Sequence, residues 1–302
     1  MKHARLLWII FGLANASGPD LISQIPQTGH DFLVSTAWLE ENLGDSLLLV
    51  LHYGMKTEYE KEHIPGARYA SIWELLVENE EGIRHELPDR PSIERTLRSW
   101  GINNNSNIII CYEDVNAIPM ASRLFLTLDY AGLGGRVAVL NGGLKAWKEE
   151  GRPLTKSVAA YEPGHVQIQL KEEILVHKEE VLECLHKDSV VIVDARPAER
   201  YYGTENDQNS GRQGHIEGAV NIPYFKLTGD DAPHFFMPED EIRRLFEDHQ
   251  IQPGDTIITY CGTGIWASPV YFAARYLGYT VHFYDGSFQE WGKDETLPIS
   301  KR

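Results

Sequence analysis

The sequence of this chain contains an internal repeat, and the repeat limits the folds that the chain can adopt. Three separated segments of the first half return in the second half in the same order, 152, 149 and 144 positions later. Because ordered matches with nearly constant offsets rarely arise by chance, we interpret the chain as a tandem duplication of one structural unit. A length of 302 residues agrees with two domains, each large enough to bury its own core. The paired segments are 62–67 with 214–219, 107–112 with 256–261, and 141–147 with 285–291.

Each repeat alternates short β-branched runs with segments of helical periodicity. In the second half, residues 190–193, 256–260 and 280–283 are apolar enough to predict buried strands, and residues 239–249 and 269–277 carry apolar side chains at helical spacing. Strands that are apolar on both faces and separated by helices are typical of a parallel sheet covered by helices on both faces. We therefore predict an α/β fold in two copies, with one parallel sheet in each.

The first 16 residues have the organisation of a secretory signal peptide. Lys2 and Arg5 give a positive start, an apolar run follows over residues 6–13, and Ala14-Asn15-Ala16 supplies the small-residue cleavage site. The run is less than half the ~20 residues that a membrane-spanning helix needs. We therefore expect an exported protein, periplasmic or secreted after cleavage near Ala16. Loss of Lys2 and Arg5 would change the formal charge from −16 to −18.

The rest of the chain divides at a segment that contains Pro153 and Pro163. We predict a first domain at residues 30–152, a linker at residues 153–172 and a second domain at residues 173–302. No other stretch of this sequence is apolar and long enough to predict a membrane span, so we expect no membrane partner.

The composition excludes several classes of partner and cofactor. With 44 acidic against 28 basic side chains, nucleic acid and anionic membranes are not expected as partners, because both would repel the surface. Three cysteines are too few for a disulfide scaffold, and Cys111 and Cys184 are either a pair or, more simply, two buried free thiols. The 12 histidines match no metal-ligand spacing and the sequence has no glycine-rich phosphate loop, so we expect no metal and no organic cofactor.

Cys261 lies where chemistry is expected in an open parallel sheet, beyond the carboxyl end of a strand. It follows the predicted strand at residues 256–260 and precedes a loop that leads to Ser268, a candidate N-cap, and Pro269, a candidate first helical residue. Glycines in the loop can adopt positive φ, which lets successive N–H groups converge on an anion. Together with the helix dipole, such a cradle predicts a lowered thiol pKa and a stabilised thiolate or persulfide. The loop residues expected to supply the cradle are Gly262, Thr263, Gly264, Ile265 and Trp266.

The equivalent loop of the first half lacks these features. Tyr112 stands in the place of the cysteine, and Glu113 and Asp114 follow it. Because carboxylates repel a thiolate or an anionic sulfur donor, we predict that the first domain is catalytically inactive and that the second is active. His63 and His215 recur in both halves, which indicates that these histidines support the fold and do not act as bases.

Four motifs together resemble the rhodanese family of sulfurtransferases: Asp194-Ala195-Arg196, residues 214–223, the Cys261 loop, and Asp285-Gly286-Ser287. The resemblance covers nearly the whole chain after the signal peptide and implies two rhodanese-like domains, of which the second is catalytic. It implies a ping-pong reaction in which Cys261 takes a sulfane sulfur from an anionic donor. The sulfur then passes from a persulfide on Cys261 to cyanide or to a thiol acceptor.

The resemblance also implies a donor site. Arg200 matches the arginine with which family members bind the anionic donor, and a guanidinium can hold sulfonate or carboxylate oxygens through two hydrogen bonds. Arg212 is a second candidate for donor binding. Asp194, at a strand end, is expected to support the site by orienting Arg200 or by capping the neighbouring loop.

The residues after Cys261 leave the donor open. The thiosulfate-specific branch of the family often has basic side chains there, whereas Gly262 and Thr263 resemble the mercaptopyruvate branch. Both branches usually have a small hydroxyl residue where Trp266 stands. We expect a small anionic donor, with thiosulfate first and 3-mercaptopyruvate as the alternative.

Other functions are alternatives to turnover. A periplasmic persulfide carrier would keep the sulfur on Cys261 for a dedicated protein acceptor, and a purely structural protein would leave Cys261 unreactive to iodoacetamide. Tyrosine phosphatases built on the same fold need a cysteine and an arginine separated by five residues. The position of that arginine is Ala267 here, so we do not expect phosphatase activity.

Overall fold

The computed structural model of the chain describes residues 32–205, 210–228 and 237–301, which form two α/β units in succession. The predicted signal peptide at residues 1–16 lies outside the described residues. The first unit contains β1 (Leu33–Val34), α1 (Thr36–Asn42), β2 (Leu48–Tyr53), α2 (Lys56–Lys61), β3 (Arg68–Tyr69), β4 (Val77–Glu78), β5 (Arg84–Glu86), α3 (Arg90–Ser99), β6 (Asn107–Tyr112), α4 (Ile118–Tyr130), β7 (Val137–Leu140) and α5 (Gly143–Glu149). The second unit contains β8 (Leu175–Val176), α6 (Lys178–Cys184), β9 (Val190–Asp194), α7 (Ala198–Tyr201), β10 (His215–Ile216), β11 (Val220–Asn221), α8 (Glu239–Asp248), β12 (Thr256–Tyr260), α9 (Ser268–Tyr276), β13 (Thr280–Tyr284), α10 (Ser287–Trp291) and β14 (Ile299–Ser300).

Each unit is built around a five-stranded parallel sheet. The strand order is β1-β7-β6-β2-β3 in the first unit and β8-β13-β12-β9-β11 in the second. The strands of the two five-stranded sheets therefore correspond one to one, in the same spatial order. The remaining strands form two antiparallel pairs, β4–β5 in the first unit and β10–β14 in the second. This correspondence confirms the tandem repeat and the α/β fold with parallel sheets that the sequence predicts.

Both faces of each sheet are buried, because successive residues of a strand point to opposite faces. In β6, Ile108 and Ile110 pack in one apolar cluster with α3 and α4, whereas Ile109 and Cys111 pack in another with α1 and α5. The second unit repeats this arrangement, with α8 and α9 on one face and α6 and α10 on the other. The predicted helices on both faces are thus confirmed.

The predicted bounds of the second unit's elements hold to within one residue, but the helix after Cys261 begins differently. Helix α9 begins at Ser268, and Ala267 before it has helical backbone angles, so Ser268 is not the N-cap. The Ser268 hydroxyl instead donates to the Gly264 carbonyl at 3.2 Å. That bond fixes the end of the loop, and Pro269 lies in the first helical turn as predicted.

The two units share an apolar interface in which α4 packs against α9. The rings of Phe125 and Phe272 meet edge to face with centroids 4.8 Å apart. The carboxylate of Asp129 on α4 is buried, accepts a hydrogen bond from Tyr271 at 2.9 Å and pairs with Arg275 at 3.0 Å. A buried carboxylate with several partners fixes the relative position of the two helices and therefore of the two units.

The β4–β5 hairpin of the first unit lies on the second unit. The Arg84 backbone exchanges two hydrogen bonds with the Gln289 side chain, at 3.1 and 2.8 Å. The Lys293 ammonium reaches the carbonyls of Glu81 and Gly82. These contacts bring His85, in the same strand as Arg84, to the loop that follows β12.

None of the helices in the described ranges has the length and apolar character that a membrane span requires. All three cysteines are free thiols: Cys111 and Cys261 are buried, and Cys184 is partly exposed. The alternative of a Cys111–Cys184 disulfide is therefore not realised in the structure.

Candidate active site

Cys261 is the first residue after β12, and its backbone is bonded to the start of α10. The Cys261 N–H donates to the Ser287 hydroxyl at 3.2 Å, and the Cys261 carbonyl accepts from the Phe288 N–H at 2.9 Å. Ser287 has φ of +55°, a conformation that non-glycine residues rarely adopt. The strained backbone at Ser287 is held beside the thiol, where it fixes the position of Cys261.

The loop after Cys261 directs backbone N–H groups at the sulfur. The donors are Thr263, Gly264, Trp266 and Ala267. Ala267 is an addition to the predicted cradle, and the predicted Gly262 and Ile265 are not among these four donors. Gly264 has φ of +83°, and a Cβ there would come within 3.1 Å of the Asp285 carboxylate, so this position needs glycine. The sequence also predicts that Gly262 can take positive φ, but its φ lies outside that region. The cradle therefore depends on one glycine.

The thiol of Cys261 is buried, and burial raises its pKa above the usual value even though four backbone N–H groups lower it. The prediction of a lowered pKa is therefore wrong. The physical reason is that enclosing the sulfur disfavours its charged form by more than the N–H dipoles restore. At neutral pH the resting group is therefore a thiol, and the backbone N–H groups are placed to face a negative charge on the sulfur.

The first unit contributes His85 to the Cys261 loop. His85 Nδ1 lies 3.1 Å from the Thr263 hydroxyl, within hydrogen-bonding distance. Burial lowers the pKa of His85, and the charges of Arg84 and Arg123 lower it further, so the imidazole is neutral at neutral pH. The ring of Trp73 packs edge-on against His85 with centroids 5.9 Å apart. A neutral imidazole on the loop hydroxyl can exchange a proton with it.

Arg123 of α4 connects the first unit to the Cys261 loop. Its buried guanidinium pairs with Asp285 at 2.7 Å and donates to the carbonyls of His85 and Gly264 at 2.8 and 3.3 Å. Asp285 also accepts from the Leu87 N–H at 2.8 Å. One arginine thus fixes the hairpin, the Cys261 loop and the turn before α10 together.

Arg200, the predicted donor-binding residue, lies at the rim of the loop. Its guanidinium carbon is 5.1 Å from the centroid of the Trp266 ring, and the Glu205 carboxylate is 3.8 Å away. The Trp266 indole in turn stacks on the ring of Tyr224, with centroids 5.3 Å apart and planes 24° from parallel. Arg200 therefore lies next to the Cys261 loop, because its guanidinium packs on the side chain of Trp266.

Asp194 and Arg212 have partners that differ from the predicted ones. Asp194 pairs with buried Arg196 at 2.6 Å and accepts from the Tyr260 hydroxyl at 2.8 Å, so it orients Arg196 and not Arg200. Its carboxylate also accepts from the Arg196 N–H, which is the loop-capping role that the sequence allowed. The Arg212 guanidinium donates to backbone carbonyls of residues 291, 292, 294 and 297. These bonds give Arg212 a structural role in place of the predicted donor contact.

The recurring histidines support equivalent turns in the two units. His63 stacks on Tyr59 with ring centroids 4.1 Å apart, and His215 stacks on Tyr201 at 3.7 Å. In each pair, the histidine Nδ1 bonds the carbonyl of the same tyrosine, at 2.7 and 2.9 Å. The prediction that these histidines serve the fold is confirmed.

The loop of the first unit encloses a carboxylate where the second unit has its cradle. The Glu113 carboxylate accepts from the Met55 N–H at 2.7 Å and lies 3.8 Å from the imidazole of buried His52. Burial raises the pKa of Glu113. Tyr112 is buried in the position that corresponds to Cys261, so this loop has no thiol facing it at that position.

Several residues of the site escape sequence reasoning. Arg123 is the clearest, although a single arginine in the apolar helix Ile118–Tyr130 is a signal, since a charge in such a helix needs a partner. His85 gives no signal of its own, because its partner lies 178 positions away. Among the residues that the structure describes, no group of three or more histidine, cysteine or acidic side chains is arranged to hold a metal ion.

Comparison with known proteins agrees with this architecture. The sequence profile of the Rhodanese-like domain matches residues 35–150 and 177–294. The chain is 32% identical over 288 residues to the Sulfur carrier protein TtuD of Thermus thermophilus, with 90% of this chain and 97% of that protein covered. It is 31% identical over 282 residues to thiosulfate sulfurtransferase of Rattus norvegicus, with 88% and 94% covered.

A solved structure gives the same result. The crystal structure of SseA from Escherichia coli, described under the fold and catalytic mechanism of 3-mercaptopyruvate sulfotransferases, superposes with a TM-score of 0.74 at 27% identity. The superposition covers 85% of this chain and 98% of that one. The two profile matches fall on the two α/β units and together span most of the sequence. The chain therefore belongs to the rhodanese family and consists of two rhodanese-like domains.

Proposed function

We propose that this protein is a sulfurtransferase in which Cys261 carries a sulfane sulfur from an anionic donor to a nucleophilic acceptor. The observation that carries the proposal is a buried thiol at a strand end, faced by four backbone N–H groups. Relatives named thiosulfate sulfurtransferase and sulfur carrier protein agree with sulfur transfer. The second domain is the catalytic one, and the first supplies His85 and Arg123 to it.

The first half-reaction loads the sulfur. The Cys261 thiol loses its proton, and the thiolate attacks the outer sulfur of thiosulfate. The sulfur–sulfur bond of the donor breaks, sulfite leaves with the bonding electron pair, and a persulfide anion remains in the cradle. Because neutral His85 lies 3.1 Å from the hydroxyl of Thr263, a residue of the cradle, we assign acceptance of the thiol proton to His85: the Thr263 hydroxyl takes that proton and passes its own to the imidazole. Arg200 holds the sulfonate oxygens of the donor.

The second half-reaction returns the enzyme to its starting form. Cyanide attacks the terminal sulfur of the persulfide, the sulfur–sulfur bond breaks, and thiocyanate leaves with the Cys261 sulfur as a thiolate. The thiolate then takes back the proton held by His85, so that the thiol and the neutral imidazole re-form. A thiol acceptor would leave as a persulfide in the same way. The backbone N–H groups stabilise the charge on sulfur in both steps, without needing to move.

Thiosulfate is the donor we propose, and 3-mercaptopyruvate is the alternative. The uncharged Gly262 and Thr263 favour the alternative, and relatives of both kinds match this chain. The test is cyanide-acceptor turnover with the two donors side by side, for the wild type and Cys261→Ser. Turnover that needs Cys261 supports the proposal, and the donor with the higher kcat/KM identifies the branch. Full activity of Cys261→Ser would contradict it.

A persulfide carrier is the second candidate function, because one relative is named a sulfur carrier protein. A carrier would load Cys261 from the donor but would release the sulfur only to a dedicated protein acceptor. The two functions separate in one experiment: the persulfide of a carrier persists when cyanide or a small thiol is added, whereas the persulfide of an enzyme disappears within one turnover.

We also propose that the protein is exported and cleaved near Ala16. The support is the order of charge, apolar run and small residues at positions 1–16. The test is N-terminal sequencing of the protein recovered from its native host. A chain that begins at Ser17 supports export, and a chain that retains Lys2 contradicts it.

A further inference from the structure

The backbone and the side chain of Trp266 have different partners. The N–H belongs to the cradle around Cys261, while the indole packs against Tyr224 in the short turn Tyr224–Leu227. Both rings are only partly buried. Trp266 thus belongs to the anion-binding loop through its backbone and to the rim of the site through its side chain.

The indole is the close neighbour that fixes the Arg200 guanidinium beside the loop. Arg200 also has a charged neighbour, Glu205, whose carboxylate is 3.8 Å from the guanidinium and about half exposed. An ion pair of that kind contributes little to holding a long side chain in one position. A guanidinium over an indole face is attracted by the ring quadrupole, most strongly when both groups are partly shielded from water. The Arg200 side chain is 25% exposed, which meets that condition.

We propose that Trp266 is a positioning residue for the donor. Its indole, supported by Tyr224, holds the Arg200 guanidinium over the mouth of the Cys261 loop, so that an anionic donor binds with its sulfur toward the thiol. The proposal rests on the function proposed above and deepens it. Trp266 acts on the donor through Arg200, and an uncharged reagent that enters the same mouth gains nothing from it.

The first test compares donor kinetics of Trp266→Thr and Trp266→Phe. Loss of the ring in Trp266→Thr is expected to raise the thiosulfate KM about 5- to 10-fold with kcat within about 2-fold, and Trp266→Phe is expected to keep most of the wild-type KM. In an Arg200→Ala background, Trp266→Thr should change the KM by less than about 2-fold, because the residue that it positions is gone. An equal rise in both backgrounds would overturn the proposal.

The second test needs no sulfur donor, so its outcome is independent of the proposed function. Iodoacetate and iodoacetamide have similar size, but only iodoacetate is an anion. The ratio of their alkylation rates at Cys261, measured by peptide mass in a Cys184→Ser background, should fall about 5-fold in Trp266→Thr and in Arg200→Ala. A ratio unchanged in Trp266→Thr would overturn the positioning role even if sulfur transfer itself is observed. A fallen ratio without any sulfur transfer would support it while contradicting the proposed function.

A variant outside the loop tests the same contacts if Trp266→Thr does not fold. Tyr224→Leu removes the ring that supports the indole and leaves every loop residue in place, and Tyr224→Phe keeps that ring as the matched control. The ratio should fall in Tyr224→Leu and stay within about 2-fold of wild type in Tyr224→Phe. Equal ratios in the two Tyr224 variants would contradict the inferred chain of contacts.

Discussion

The loops that follow β6 and β12 occupy the same place in equivalent sheets, yet one encloses the Glu113 carboxylate and the other encloses the Cys261 thiol. The five-stranded sheets and the stacked tyrosine–histidine turns are repeated in the two units. The comparison indicates that the edge of the sheet provides a place for a reactive group, and that the loop residues determine which group stands there. It also gives the first domain a new role, because its β4–β5 hairpin and α4 form one wall of the second domain's site.

Breaking the link between the domains should have the largest effect. Arg123→Met leaves Asp285 without its charged partner and removes one hydrogen bond from each of the carbonyls of His85 and Gly264. We expect the free energy of unfolding to fall by about 3–5 kcal/mol, measured by denaturant titration, and kcat/KM for sulfur transfer to fall at least ~10-fold. Arg95→Met, on the exposed face of α3, is the matched control.

A second substitution shows whether the loss of stability comes from the unpaired charge of Asp285. Asp285→Asn in the Arg123→Met background removes the unpaired charge, so part of the lost stability should return. A stability that falls further in the double variant would show that the ion pair is not what joins the domains.

Substitution of His85 tests whether the first domain, which we propose lacks a catalytic site of its own, takes part in the reaction. His85→Asn suits the backbone at φ of +65°, which asparagine tolerates, and removes the titrating ring. We expect kcat to fall ~10- to 100-fold with the donor KM little changed, and the dependence of kcat on pH to change shape in stopped-flow turnover. His165→Asn, in the exposed linker, should behave as wild type. A kcat profile that overlays the wild-type profile would remove His85 from the reaction.

The two predicted arginines should separate donor binding from support of the fold. Arg200→Ala removes the guanidinium at the rim, so the donor KM should rise ~10-fold while the melting temperature stays within a few degrees. Arg212→Ala removes hydrogen bonds to backbone carbonyls of residues 291–297, so stability should fall by about 2 kcal/mol. Identical KM values for Arg200→Ala and wild type would take Arg200 out of the donor site.

The smallest expected effect is electrostatic and lies in the hairpin. The pKa of Glu86 is raised to about 7, chiefly by partial burial and also by the nearby charge of Asp285, while the hydrogen bond from Asn79 opposes the shift. Because the folded-state pKa is above the unfolded one, proton binding stabilises the fold below about pH 4.5, and this stability is lost as pH rises through about 7. Glu86→Gln should therefore be more stable than wild type at pH 8 by about 1 kcal/mol after solvent screening, and equal to it near pH 4.

Glu80→Gln is the control for this pH dependence, since Glu80 is exposed in the same hairpin. Thermal unfolding of the three proteins between pH 4 and 8 gives the comparison. A stability difference that stays constant with pH would mean that Glu86 does not titrate in the hairpin.

The fold and the position of the candidate nucleophile were predictable because both are encoded locally. Buried β-branched runs such as residues 256–260 predict the strands, and the step from strand to glycine-bearing loop to Pro269 places Cys261. The partners of the loop were not predictable, since His85 and Arg123 lie 178 and 141 positions from their contacts. The raised pKa of Cys261 was missed because the sequence pattern does not give the depth at which the thiol is buried.

The most direct measurement locates the transferred sulfur in the full-length protein. After exposure to thiosulfate or 3-mercaptopyruvate, the protein is digested under non-reducing conditions and its cysteine peptides are weighed by mass spectrometry, for wild type and Cys261→Ser. If Cys261 carries the sulfur, we expect one added sulfur atom on the Cys261 peptide of the wild type and none on the Cys111 or Cys184 peptides of either protein. Sulfur found on Cys111 or Cys184, or sulfur transfer retained by Cys261→Ser, would contradict this role of Cys261.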